Sequence, residues 1–302
     1  MSTQVVDAEA ARDSIERLLG ELRPKLHRYC AGMTGSVIDG EDIVQETVIK
    51  VLEALPESAA IRHPEAWLFR IARNASLDFL RRRNRLEALR SDEDPEQVID
   101  LAAAADRRQV VTASLGTFMR LPVTERSSVI LMDVLGYSLE EIGGIANSSI
   151  PAVKAALHRG RARLRELAAQ PDDTALPALP EAERVRLADY ADRFNARDFD
   201  GIRDMLAADV RLELVNRVRL RGRDAVGKYF TNYAGVADWH LVPGSVDGQP
   251  ALLVRNPGAP EAVPGYFVLV SWEGDRIAGI RDFRHAPYAI EGARLSPHGQ
   301  TP

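Results

Sequence analysis

Apolar positions recur every three or four residues along the first half of this chain, and every second residue along much of the last third. Leu18, Leu19, Leu22, Leu26 and Tyr29 share one helical face, as do Ile43, Val44, Thr47, Val48, Val51 and Leu52. Asp39 is the expected N-cap of the second helix, with Asp42 in the capping-box position. A third helix is expected from Pro64, a good first-turn residue, with Trp67, Leu68, Ile71, Ala75 and Phe79 as its apolar stripe. Leu139, Ile142 and Ile145 predict a short helix, and Val153, Leu157 and Leu164 a longer one. Leu187, Tyr190, Ala191, Phe194 and Met205 continue the helical pattern into the last third. Alternation then predicts strands over 210–215, 239–242, 251–254, 266–272 and 277–283, with a hairpin turn at Glu273-Gly274-Asp275.

Two breaks divide the pattern. SDEDPEQVID, residues 91–100, is acidic and interrupted by Pro95; PDDTALPALP, residues 171–180, carries three prolines and reads as a stiff linker. The expected organisation is a helical block at 1–90, an acidic linker at 91–101, a second helical block at 102–170 and a Pro-rich linker at 171–183. An α+β domain at 184–290 and a frayed tail at 291–302 complete it. The fold class is therefore multi-domain, two all-α parts followed by an α+β part.

Composition narrows the function. With 39 Lys and Arg against 44 Asp and Glu, the formal charge is −5, which argues against a uniformly basic nucleic-acid binder but leaves room for local basic faces. Cys30 is the only cysteine, so neither an intrachain disulfide nor a cysteine-cluster zinc site can form. The amino terminus lacks an apolar secretion core and no apolar run is long enough for a bilayer, so a cytoplasmic location is expected. No cofactor or metal is expected.

The basic faces sit on two helices. Arg81, Arg82, Arg83 and Arg85 crowd the end of the third helix, more cations than its dipole requires, and they suit phosphates. Farther along, Ser138 and Glu141 form a capping box and Asn147 suits a left-handed turn. Ser149 caps a helix carrying Lys154, His158, Arg159, Arg161, Arg163 and Arg165, which is the layout of a helix-turn-helix.

DGEDIVQETVIKVLEAL followed by EAWLFRIARNASLDFLRRRNR resembles region 2 of extracytoplasmic-function (ECF) sigma factors of the sigma-70 family. RLPVTERSSVILMDVLGYSLEEI with AVKAALHRGRARLREL resembles region 4. The resemblance implies an RNA polymerase sigma factor that binds core polymerase and directs promoter-specific initiation. Asp42, Gln45 and Glu46 would meet the polymerase clamp; as an acidic face alone they could equally be solvated surface. The loop 56–63 and the following helix would melt and read the minus-ten element through Trp67, Arg70, Arg73, Asn74, Arg81, Arg82 and Arg83. Trp67 is open to either core packing or base stacking. Ser149, Lys154, His158, Arg159 and Arg161 would read the minus-thirty-five element. In the linker, Asp92, Glu93, Asp94 and Glu96 would mimic phosphates in the polymerase's RNA channel. Ala146, Asn147 and Ser148 depart from the family's turn, and Ala155 and Ala156 replace its polar recognition residues, which implies fewer direct base contacts.

ADYADRFNARDFDGIRDMLAADVRLELV, LRGRDAVGKYF and IAGIRDFR resemble a SnoaL-like (polyketide-cyclase-like) domain, with the cone of nuclear transport factor two: a curved sheet wrapped by helices. The resemblance implies regulation in cis and a candidate ligand pocket at Tyr190, His240 and Asp282 for a small ligand or an intramolecular contact. The chain would do no covalent chemistry. Two alternatives remain: a helix-turn-helix regulator independent of polymerase, and an isomerase- or cyclase-like enzyme acting through the cone.

Overall fold

The structure is a computed structural model describing residues 2–54, 61, 63–88, 114–168, 179–258 and 264–297, with side chains from Arg12 onward. The acidic linker, most of the loop 56–63 and most of the Pro-rich linker lie outside the described residues. The chain divides into two compact units, Met1–Asp173 and Thr174–Pro302.

In the first unit, α1 (Ser2–Thr34), α2 (Val37–Ala54) and α3 (Pro64–Ala88) pack around Leu26, Tyr29, Met33, Ile43, Val44, Leu68 and Phe69, all buried. Helix α2 begins earlier than expected. Asp39 is inside its first turn, and the cap is Ser36, whose Oγ accepts from Asp39 N at 3.2 Å. Gly40 is needed there, because an added Cβ would lie 2.7 Å from the Ala31 backbone nitrogen on α1.

The second helical block adds α4 (Leu115–Met119), α5 (Val123–Val129), a π-helical turn (Ile130–Val134), α6 (Leu139–Ala146) and α7 (Ile150–Ala168). The local signals between α6 and α7 are realised. Ser138 and Glu141 close a capping box, Asn147 ends α6 at φ 50°, and Ser149 Oγ accepts from Ala152 N at 3.4 Å. Gly160 lets α7 approach α5, since a Cβ there would meet Val129 Cγ2 at 2.8 Å.

One apolar core runs through both helical blocks of this unit. Polar contacts add to it. Tyr29 Oη and Ser127 Oγ are 2.8 Å apart, and burial of Tyr29 pushes its hydroxyl pKa far up. Arg126 donates to Met33 O at 2.6 Å, at the end of α1, to Met119 O at 3.0 Å, at the end of α4, and to Leu121 O at 2.9 Å just past it. Met33 and Met119 stand in the last turns of α1 and α4, where carbonyls lack intrahelical donors, so one guanidinium serves both. Burial, aided by the nearby Arg83 cation, pulls Arg126 down to about 10.

The second unit opens with α8 (Glu181–Asn195) and α9 (Phe199–Met205), followed by β1 (Leu206–Leu214), β2 (Val218–Arg221) and α10 (Arg223–Ala234). Then come β3 (His240–Val246), β4 (Gln249–Arg255), β5 (Tyr266–Glu273), β6 (Arg276–Asp282) and β7 (Leu295–Pro297). The sheet order is β2-β1-β6-β5-β4-β3-β7, with β1 and β6 parallel and the other pairs antiparallel. Register shifts in β1–β6 and β5–β6 bend it. Phe194 lies at the centre of the enclosed core, with ring centroids of Phe199, Tyr233 and Trp239 at 5.3, 5.1 and 4.8 Å. Each such pair contributes about 0.5–1.5 kcal/mol beyond burial. The tail differs from expectation: Leu295–Pro297 pairs with β3 as the last strand. No helix among the described residues is long and apolar enough to cross a membrane.

Candidate functional site

On α2, Asp42 is exposed, Gln45 and Glu46 are half-buried, and Ile49 is half exposed at 50 %. Spacings of three, four and seven put them on one face. Glu46 accepts from Lys50 at 2.7 Å and Arg82 of α3 at 3.3 Å. Partial burial pushes its carboxyl up, but these two cations outweigh that and hold it below the usual range.

The minus-ten candidates on α3 separate. Arg70, Asn74, Arg81, Arg82 and Arg85 are exposed, whereas Arg73 is half-buried. Arg81 pairs with Asp78 at 3.0 Å. Arg83 departs from the expectation of a DNA contact: it is half-buried and donates to Thr34 O at 3.0 Å, beside Arg126 at the end of α1. The negative end of the α1 dipole attracts both cations.

Trp67 is half-buried, packed on the core and at the same time lining a cleft of 840 Å³. Arg70 and His63 share this cleft, and Tyr137, Glu140 and Glu141 of the second block close it. Tyr137 ties the two blocks together at this cleft. Its hydroxyl donates to Glu65 Oε1 at 2.5 Å and its ring meets Phe69 edge-on at 5.0 Å. Burial and the adjacent Glu65 carboxylate push the Tyr137 pKa far up. The sequence pattern gave no sign of this contact, whose partners are 72 residues apart.

The minus-thirty-five candidates separate too. Ser149, Lys154 and His158 are exposed on α7. Arg159 pairs with Glu125 of α5 at 2.8 Å. Arg161 makes a two-pronged pair with Asp133, one bond at 2.8 Å, and Asp133's side chain is fully buried. That carboxylate raises the Arg161 pKa. Arg159 and Arg161 thus tie α7 to α5 and to the π-helical turn.

In the second unit, Tyr190 and Asp282 are both fully buried, while His240 is exposed. Alternation along β3 turns Leu241 inward and His240 outward, so His240 does not belong to the pocket. Long-range folding instead gathers Tyr229, Tyr233 and Tyr266 around Asp282. Tyr229 and Tyr233 donate to Asp282 Oδ2 at 2.8 and 2.6 Å, and Arg284 N donates to Oδ1 at 2.8 Å. Tyr266 lies 3.3 Å from the Tyr233 hydroxyl and accepts from Arg284 at 3.1 Å. Burial pushes the Asp282 carboxyl up against the opposing pull of these donors. The Tyr190 hydroxyl, buried beside it, has no hydrogen-bond partner among the described residues. Among the described residues no group of three or more His, Cys, Asp or Glu could hold a metal ion.

Residues 18–86 match the family model for Sigma-70 region 2, residues 117–164 that for Sigma-70, region 4, and residues 187–286 that for a SnoaL-like domain. The chain is 34% identical over 191 residues to the ECF RNA polymerase sigma factor SigE of Mycolicibacterium smegmatis, covering 58% of this chain and 71% of that protein. It is 26% identical over 291 residues to the ECF RNA polymerase sigma factor SigG of Mycobacterium tuberculosis, covering 86% and 78%. Among solved structures, the extracytoplasmic function sigma factor SigJ of Mycobacterium tuberculosis is 18% identical, with 89% of this chain and 95% of that chain covered and a TM-score of 0.34.

Proposed function

The chain belongs to the ECF group of RNA polymerase sigma factors, and from that premise we propose a division of labour among its surfaces. The α2 face carrying Asp42, Gln45 and Glu46 binds core polymerase. The exposed end of α3, with Arg81, Arg82 and Arg85, holds the minus-ten strand while Trp67 and Arg70 meet its bases. Helix α7 enters the major groove of the minus-thirty-five element. The observation that carries this reading is the junction of α2 and α3, where the acidic face and the arginine-rich end meet at the Glu46–Arg82 pair. A simple helix-turn-helix repressor has no use for that junction.

On this reading one cleft opens during initiation. The two elements lie about 25 base pairs apart, which is roughly 85 Å of duplex at about 3.4 Å per pair. Tyr137, Glu140 and Glu141 close the cleft over Trp67 and Arg70. Engagement of both elements therefore opens this cleft, and binding energy from the polymerase supplies the cost. The C-terminal unit acts on that balance in cis; in support, it has a core of its own and carries none of the promoter-facing residues.

Co-purification with core polymerase and permanganate footprinting of open promoter complexes test the reading. Reversing the charges of Asp42 and Glu46 abolishes co-purification and open-complex formation. Promoter opening without any association with core would overturn it. Deleting residues 171–302 tests the regulatory part: unchanged promoter output and affinity would remove it.

A further inference from the structure

The first two turns of α7 carry the residues Ile150, Pro151, Ala152, Val153, Lys154, Ala155, Ala156 and Leu157. Val153, Ala156 and Leu157 are buried in the unit's core. The others are exposed, and Ile150 is among the few large apolar side chains of the described chain left open, at 37 %. Lys154 alone carries charge in this stretch. The arginines that could have reached forward from the next turn are engaged elsewhere, Arg159 by Glu125 and Arg161 by buried Asp133. Lys154 apart, the exposed face of these two turns is thus apolar and shallow.

Base edges in the major groove are usually distinguished by paired hydrogen bonds from Arg, Lys, Asn, Gln, Asp or Glu. Apart from Lys154, these two turns have none of those side chains. The remaining feature of the groove that an apolar side chain can read is the 5-methyl group of thymine. Small residues at Ala152 and Ala155 let the helix backbone approach the base edges closely, and Ile150 stands at the N-terminal end that enters the groove first.

We propose that α7 selects its element by apolar contact with thymine methyl groups, Ile150 being the specificity-determining side chain and Lys154 the phosphate anchor. This rests on the reading of α7 as the minus-thirty-five helix and names the base chemistry it takes. Thymine tracts also narrow and stiffen the duplex, but shape alone does not require the methyl group. That difference makes the proposal separable from indirect readout.

The test uses the full chain bound to core polymerase. Promoter duplexes randomised over the upstream element are selected for binding, and the winners are resynthesised with deoxyuridine replacing thymidine one position at a time. Deoxyuridine keeps every hydrogen-bonding edge and removes only the methyl group. Selected elements are expected to be rich in thymine, and at one or two positions deoxyuridine weakens binding about four-fold, the equivalent of about 0.8 kcal/mol for one buried methyl-sized group. With Ile150→Ser the penalty at one of those positions disappears, while Lys154→Ala weakens thymidine and deoxyuridine duplexes alike. Equal affinity for the two duplexes at every position overturns methyl readout and leaves the minus-thirty-five reading standing. Selection that yields no upstream preference at all, with core still bound, overturns both.

Discussion

Helix α3 carries six arginines and α7 four, and the pairs at the end of α3 differ from the Arg161 pair on α7. Near the end of α3, Arg81 and Arg82 are 68 % and 58 % exposed and meet only the surface carboxylates Asp78 and Glu46. Such pairs are worth about 0–1 kcal/mol, so a nucleic-acid phosphate can replace the carboxylate at little cost. On α7, Arg161 is 28 % exposed and its partner Asp133 not at all. Withdrawing that guanidinium would take a two-pronged pair away from a buried carboxylate, which is destabilising. An arginine on a DNA-facing helix is thus available to DNA only if its present partner can return to water. By that criterion the exposed arginines at the end of α3 are exchangeable and Arg161 on α7 is not.

The contrast can be broken by substitution, beginning with the largest effect. Replacing Arg81, Arg82 and Arg85 together by alanine is expected to weaken the holoenzyme–promoter complex about 100-fold near physiological salt. The slope of log affinity against log salt should fall by about 2, at about 0.7 per single-strand phosphate contact. An unchanged slope would take these arginines off the phosphates. Arg161→Ala should instead destabilise the first unit by ~2–3 kcal/mol in urea unfolding. Arg161→Ala with full stability and a shallower salt slope would return that residue to the DNA.

Lys154→Ala gives the smaller counterpart on α7. Its salt slope should fall by about 0.9 and its affinity by several-fold, with the urea midpoint unchanged. The least of these effects extends the rule to the second unit. Asp282 has its folded pKa raised by burial, so its stabilising contribution is full below its unfolded pKa of about 3.9 and is lost as pH rises through the folded value. Asp282→Asn should flatten that dependence in the unfolding of the C-terminal unit followed by Trp239 fluorescence. An identical pH profile in the variant would show that the carboxyl does not titrate differently in the fold.

Much of the architecture was legible in the chain because its signals are local. The capping box at Ser138 and Glu141, the left-handed Asn147 and the Ser149 cap each involve residues within a few positions, and all appear as read. The switch from helical to alternating periodicity marked the sheet. Shorter or more polar segments escaped. Strand β2 (Val218–Arg221) is largely exposed on the edge, and β7 forms from three residues of the tail only because β3 offers an open side. Asp39 and Ser36 are both competent caps, and the close approach of α1 at Gly40 accompanies the choice of Ser36.

The candidate surfaces were legible by residue type but not by direction. Tyr137 reaches Glu65, Arg83 the end of α1, and Arg161 the buried Asp133, across 72, 49 and 28 positions. Likewise, β-strand phase turned His240 away, and folding gathered Tyr229 and Tyr233 onto Asp282.

The sequence by itself determined the helical blocks, the helix-turn-helix and the α+β end, because caps and periodicity act within one or two turns of chain. Only the tertiary structure decided which cations remain free for a partner. That choice depends on whether a distant carboxylate or carbonyl is buried, and the cost of burying charge unpaired arises only once the chain has folded around it.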